Sequence, residues 1–312
     1  MSTTMADDGE RIARAELTWL ADPGDRRLGA LVRSIGAAPA MTLIRTGRFP
    51  ADARPDPAPA DQRTMSRWRA ALERVPSRGD VERALGGPPR LVHPGCAEWP
   101  DGMDGLGNAA PIALWAAGVA DLRSSCRRSV AVAGARAATA YGSYVAAEFA
   151  SSIAARGWTV VSGGAFGVDA AAHRGALGAN RVTVAVLACG VDVAYPAGHV
   201  ELLEAIAAQG VIVSEQSPGR TPSRLRFLAR NRIIAALATG TLVVEAGERS
   251  GAMATARHAR DLGRPLMAVP GPVTSDLSAG CHRIIQDWGG SLVTSAADVI
   301  GSLTEARTDP AG

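Results

Sequence analysis

The segment RLRFLARNRIIAAL, Arg224 to Leu237, sets Arg224, Arg226, Arg230 and Arg232 around one ring, Phe227, ahead of an apolar run. Guanidinium groups pair with phosphates, and an aromatic face can stack on a nucleobase. Five arginines and no acid lie between Glu215 and Glu245. A local surplus of this kind attracts polyanions more than net charge does. Taken alone, Phe227 reads as a core residue, because phenylalanine is usually buried. With the arginines beside it, the segment reads as a contact for single-stranded nucleic acid. Asn231 is placed to cap a helix beginning there.

Other stretches suit anions too. Gly134 and Arg136 follow the apolar run SVAVA, and Ser162, Gly163 and Gly167 follow TVV. Arg249, Ser250 and Gly251 follow TLVVEAGE, and GPVTSDLSAG follows PLMAVP. Small residues let backbone N–H groups approach an anion, and a helix start adds a partial positive charge. One such loop is as readily a plain turn. Four of them at the ends of successive strands form a phosphate-binding rim.

Several chemistries are excluded. All 33 basic residues are arginine, so no P-loop or Schiff-base lysine exists. No GxSxG or GxGxxG occurs. Cys96, Cys126, Cys189 and Cys281 are dispersed with no CxxC, which predicts free thiols and no zinc site. His173 reads as a locally bonded packing residue. No metal or cofactor is expected. The net charge of +3 resides wholly beyond residue 125.

The elements that position these residues change character along the chain. Residues 10–85 read as short helices, one pair broken at Gly36, with a Pro/Ala/Asp connector from Pro50 to Gln62. From Ser129, short apolar strands alternate with helical stretches. That pattern predicts an α/β fold, a parallel sheet covered on both faces, with ligands beyond the strand C-termini. No apolar run approaches the ~20 residues that span a bilayer. The polar start has no signal-peptide core, which predicts a cytoplasmic protein with no membrane partner.

Together these residues resemble the DNA-processing protein A (DprA/Smf) family. The likeness rests on VAGAR (132–136), SGGAFGVDAAAH (162–173), GVDVAYP (190–196), FLARNRIIAAL (227–237), VVEAGERSGAMATA (243–256) and AVPGPVTSDLSAG (268–280), in that order. It implies an extended Rossmann-like domain at 89–303 behind a small helical, SAM-like domain at 1–88. Many family members carry a C-terminal winged helix; the polar end TEARTDPAG, 304–312, predicts a polar tail in its place here. The resemblance further implies a non-enzymatic, homodimeric protein that binds single-stranded DNA in natural transformation and loads the RecA recombinase. The implied DNA pocket comprises Arg136, Arg224, Phe227, Arg230 and the Ser162–Gly167 and Arg249–Gly251 loops. The chain departs from the family pattern at Ala135 (serine expected), His199 and Cys281 (asparagine expected) and Leu228 (often proline).

Two other readings use the same type of sheet. Phosphoribohydrolases resembling lysine decarboxylases carry a GGxGTxxE loop, but here His258 follows Thr255 at the glutamate's spacing. A small-nucleotide sensor would need no aromatic among the arginines.

Overall fold

The computed structural model describes residues 2–48 and 61–308; most of the Pro/Ala/Asp connector and the last four residues lie outside them. Five helices come first: α1 (Ser2–Leu20), α2 (Arg26–Ile35), α3 (Ala37–Thr46), α4 (Gln62–Ala70) and α5 (Arg78–Leu85). Asp25 caps α2 by accepting from the Arg27 and Leu28 N–H groups. Gly36, at φ 87°, breaks α2 from α3 where the sequence places the break. Leu17, Leu28, Ile44 and Trp68 form the buried centre of this helical region.

Next come β1 (Arg90–Val92), β2 (Leu114–Gly118), α6 (Leu122–Cys126), β3 (Ser129–Ala133), α7 (Ala140–Ala155), β4 (Thr159–Gly163), α8 (Val168–Gly178) and β5 (Thr183–Leu187). They are followed by α9 (Val200–Gln209), β6 (Val211–Ser214), α10 (Arg224–Leu237), β7 (Gly240–Val243), α11 (Gly251–Asp261), β8 (Leu266–Ala268), α12 (Ala279–Asp287), β9 (Ser291–Leu292) and α13 (Ala296–Thr308). Residues 304–308 continue α13.

The described strands form one sheet, ordered β1-β2-β6-β5-β4-β3-β7-β8-β9. It is parallel from β6 to β9, as the apolar strands predict. It is not wholly parallel: at one edge β2 runs antiparallel to both its neighbours, β1 and β6. The β1–β2 connection holds no α-helix, so no crossover forces that pair to be parallel. Alternate residues serve opposite faces. Val130, Val160 and Leu242 pack with α7, α8 and α13, while Val161, Val184 and Val213 pack under Ile233 and Leu237 of α10. The chain winds outward from β3 to β6, then returns beside β3 as β7. That reversal leaves a crevice at the strand C-termini. Among the described residues, no helix is long and apolar enough to cross a membrane.

The helical region is keyed to the sheet. Trp115 of β2 packs among Ala15, Val81 and Leu85, and its Nε1 donates to Thr18 Oγ1 at 3.0 Å. Arg232 donates to Glu215 Oε1 at 2.6 Å, and the Gly24 N–H donates to the same oxygen at 3.2 Å. Their side chains are 6% and 13% exposed. Removing one partner of such a pair strands a buried charge, at a cost of about 3 kcal/mol. Arg232→Ala is therefore expected to lower the urea midpoint by that equivalent; an unchanged midpoint would show that the pair stabilises nothing.

Candidate functional site

The crevice holds a cavity of about 720 Å³. Its walls come from the loops after β3, β4 and β7, the β8–α12 connection, and one face of α10. On α10, Arg224, Phe227, Asn231 and Ile234 line it. Their spacing of three and four residues is one helical stripe. The helix begins at Arg224, capped by Ser223, whose side chain accepts from the Arg226 N–H. Asn231 is thus not a cap, as its position before an apolar run suggested. It sits in mid-helix and its Nδ2 donates to Gly251 O at 3.1 Å, tying α10 to the start of α11.

Phe227 is half-buried in the cavity wall, which removes it from the core. The Arg136 guanidinium lies 4.4 Å from its ring centroid, that of Arg230 6.0 Å, and the Tyr195 ring 5.8 Å. A cation over a ring face is attracted by the ring's quadrupole. Arg136, Arg224 and Arg249 are exposed at the rim. Gly134, Ser250 and Gly251 complete it. Ser250 Oγ is buried and has no hydrogen-bond partner.

Arg230 is the buried member, 6% exposed. Its Nη1 donates to Val186 O at 2.6 Å, while its Nε has no protein partner. Burial pushes this guanidinium below its ordinary value and Asp169 opposes that shift. Burial raises the Asp169 carboxyl, while Arg230 and the Ala165 N–H act to lower it. The arginines are therefore not free of acids, as the intervening sequence suggested: Asp169 acts on Arg230, and Glu215 pairs with Arg232.

Four expected contacts stand outside the cavity lining. Arg232 is turned to the helical region. Ser162 is fully buried and its hydroxyl donates to Val132 O at 2.6 Å. Gly163 lies behind the wall: a Cβ there would stand 1.9 Å from Arg230 Nη1, so only glycine leaves room for the guanidinium. Gly167, at φ 76°, lets its loop press on the carbonyls of Ala135 and Arg136. These last three position the wall and do not form its surface.

The motif reading passed over Glu245, although it sits at a strand end among loop residues. It is buried, and it accepts from Thr139 N at 2.9 Å and Thr139 Oγ1 at 2.6 Å. Its own carbonyl accepts from the Ala135 N–H at 2.7 Å. These bonds hold the loop that carries Arg136. Asp169 was likewise visible only as part of a helix start. His173 packs as expected: it is fully buried, with its ring nitrogens bonded to Thr183 Oγ1 and Gly163 O. All four cysteines are free, and no cluster of His, Cys, Asp or Glu among the described residues could hold a metal.

Fold and cleft define a doubly wound, Rossmann-like α/β protein with a basic, aromatic-bearing crevice at its switch point. The family model described as DNA recombination-mediator protein A matches residues 90–304. The chain is 45% identical over 298 residues to the putative DNA processing protein DprA of Mycobacterium tuberculosis, covering 92% of this chain and 74% of that protein. The X-ray structure of DNA processing protein A from Streptococcus pneumoniae superposes with a TM-score of 0.75 at 27% identity, over 94% of this chain and 97% of that one. A structure of the Helicobacter pylori protein, described for its single-stranded DNA binding mode, superposes with a TM-score of 0.60 at 29% identity, over 67% of this chain and 94% of that one. The chain belongs to the DNA recombination-mediator protein A family, the DprA proteins.

The buried histidine makes a pH prediction. Burial, aided by Arg230 and His199 and opposed by the Gly163 carbonyl bond, holds the His173 pKa down to about 4 from 6.5. Between those values the unfolded chain takes up a proton that the folded chain refuses, so this contribution to stability falls as pH drops from 6.5 toward 4. Asp169, raised in the fold, acts in the opposite sense as its folded form takes up a proton. Comparison with His173→Gln isolates the histidine. The wild-type stability relative to the variant is expected to decline by about 3 kcal/mol between pH 7 and pH 4 in urea denaturation. A constant difference would mean that His173 is not held neutral.

Proposed function

We propose that the cleft binds single-stranded DNA without catalysing a reaction on it. In this reading the protein acts in the cytoplasm as a homodimer, protects incoming strands during transformation and passes them to the RecA recombinase. The observation that carries the DNA reading is the Phe227 ring, presented in a 720 Å³ cleft between the guanidiniums of Arg136 and Arg230. A base can replace Arg136 on the ring while that arginine turns to a phosphate. Arg224 and Arg249 at the rim, the unpartnered Arg230 Nε and Ser250 Oγ, and the start of α11 supply further donors. Apart from Asp169, the charged groups of the lining are all arginines, which suits holding phosphates. Family membership and the DNA-binding relative from Helicobacter pylori support the same reading.

A labelled oligo-dT in fluorescence anisotropy tests it. Arg136→Ala and Arg224→Ala are each expected to weaken binding and to reduce the salt slope by about one. Phe227→Ala is expected to cost about 1–3 kcal/mol with the slope unchanged, because stacking releases no counterion. Wild-type binding by all three variants would remove the cleft from consideration. Transfer to RecA is read as a shift in mobility when RecA is added to the preformed complex; persistence of the original complex would count against loading.

A further inference from the structure

The loops after the parallel strands stand in the order of the sheet. From β7 through β3, β4 and β5 to β6 they carry Arg249, Arg136, Phe166, Tyr195 and Arg220 in turn. Neighbouring strands lie about 4.8 Å apart, so the row from β7 to β5 covers about 14 Å. Phe166 and Tyr195 are 52% and 42% exposed, and such exposure is unusual for a phenylalanine. Neither is loose. His199, itself 2% exposed, meets the Phe166 ring edge-on at 4.4 Å, and its Nδ1 is 3.1 Å from Gly164 O in the loop that carries Phe166. The resemblance expects asparagine at His199, so this support belongs to the present chain. Tyr195 touches the Phe227 ring at 5.8 Å, which joins the exposed rings to the cleft. On the β6 side, Arg226 donates to Thr221 O, so positive charge continues past the rings.

We propose that Phe166 and Tyr195 form a second base-stacking platform, continuous with Phe227, along which single-stranded DNA runs across the loops in sheet order. The inference rests on the reading of the cleft as a single-stranded DNA site. Two exposed rings, Phe166 braced by buried His199 and Tyr195 by half-buried Phe227, flanked by arginines and contiguous with that cleft, match a polymer of stackable bases and phosphates. They do not match a mononucleotide, which would end at Phe227. The platform adds stacking and no phosphate contact, so it contributes length-dependent affinity without changing the salt response.

The test uses the full chain and labelled oligo-dT of increasing length in fluorescence anisotropy. Affinity is expected to rise with length and then level. Phe166→Ala is expected to weaken binding about tenfold for oligonucleotides at the plateau and to leave the shortest bound one unchanged, at an unaltered salt slope. Phe166→Trp should restore plateau affinity, since it keeps a stacking face. A wild-type length profile for Phe166→Ala overturns the proposal. So does an equal loss at every length, which would make Phe166 a support of the cleft. So too does a changed sedimentation coefficient without DNA at unchanged affinity, which would make the ring a contact between copies. The cleft reading is judged separately, on the shortest oligonucleotide, with Arg136→Ala and Phe227→Ala.

Discussion

The cleft depends on a guanidinium brought under the strand ends. Burying a charge is costly unless its donors are matched and an opposite charge lies near. Arg230 meets those terms through the Val186 carbonyl, the nearby Asp169 and the space that Gly163 leaves open. These contacts lock α10 against β4, β5 and α8. With α10 so placed, its next exposed turn carries Phe227 and Arg224 to the cavity. One nitrogen of Arg230 stays without a protein partner, so the buried charge retains a donor for a ligand.

The opposite wall is set by a carboxylate. Glu245, at the end of the switch-point strand pair, receives the Thr139 backbone and hydroxyl donors, while its backbone receives Ala135. That loop therefore presents Arg136 over the Phe227 ring from a fixed base. A prearranged wall lowers the ordering cost on the protein side when a flexible polymer binds. The sheet order then makes successive loops neighbours in space, which turns a pocket into an edge that a strand can follow.

Much of the fold was legible. Short apolar strands between helical stretches specify a parallel sheet with helices on both faces, because such strands must be covered twice. Gly36 marked a helix break because its φ of 87° is open to glycine at little cost. The antiparallel edge was not legible, because alternation along a strand shows which face is buried and not which way the strand runs. The start of α10 was misplaced because its arginines lie around the helix and leave no polar face to read. Two of them, Arg230 and Arg232, are buried against the usual preference of arginine for solvent.

By itself the sequence determined which residues stand at strand ends and helix starts, since backbone periodicity and small residues are local properties. It thereby placed Gly134, Arg136, Arg249 and Gly251 at a common edge. Only the tertiary structure decided which arginines face the cleft. Arg230 and Arg232 are two residues apart, which on an α-helix is a rotation of about 200°. One therefore points under the strand ends and the other into the helical region, where Glu215 receives it. Composition counts them alike; the packing of a helix between two partners separates them.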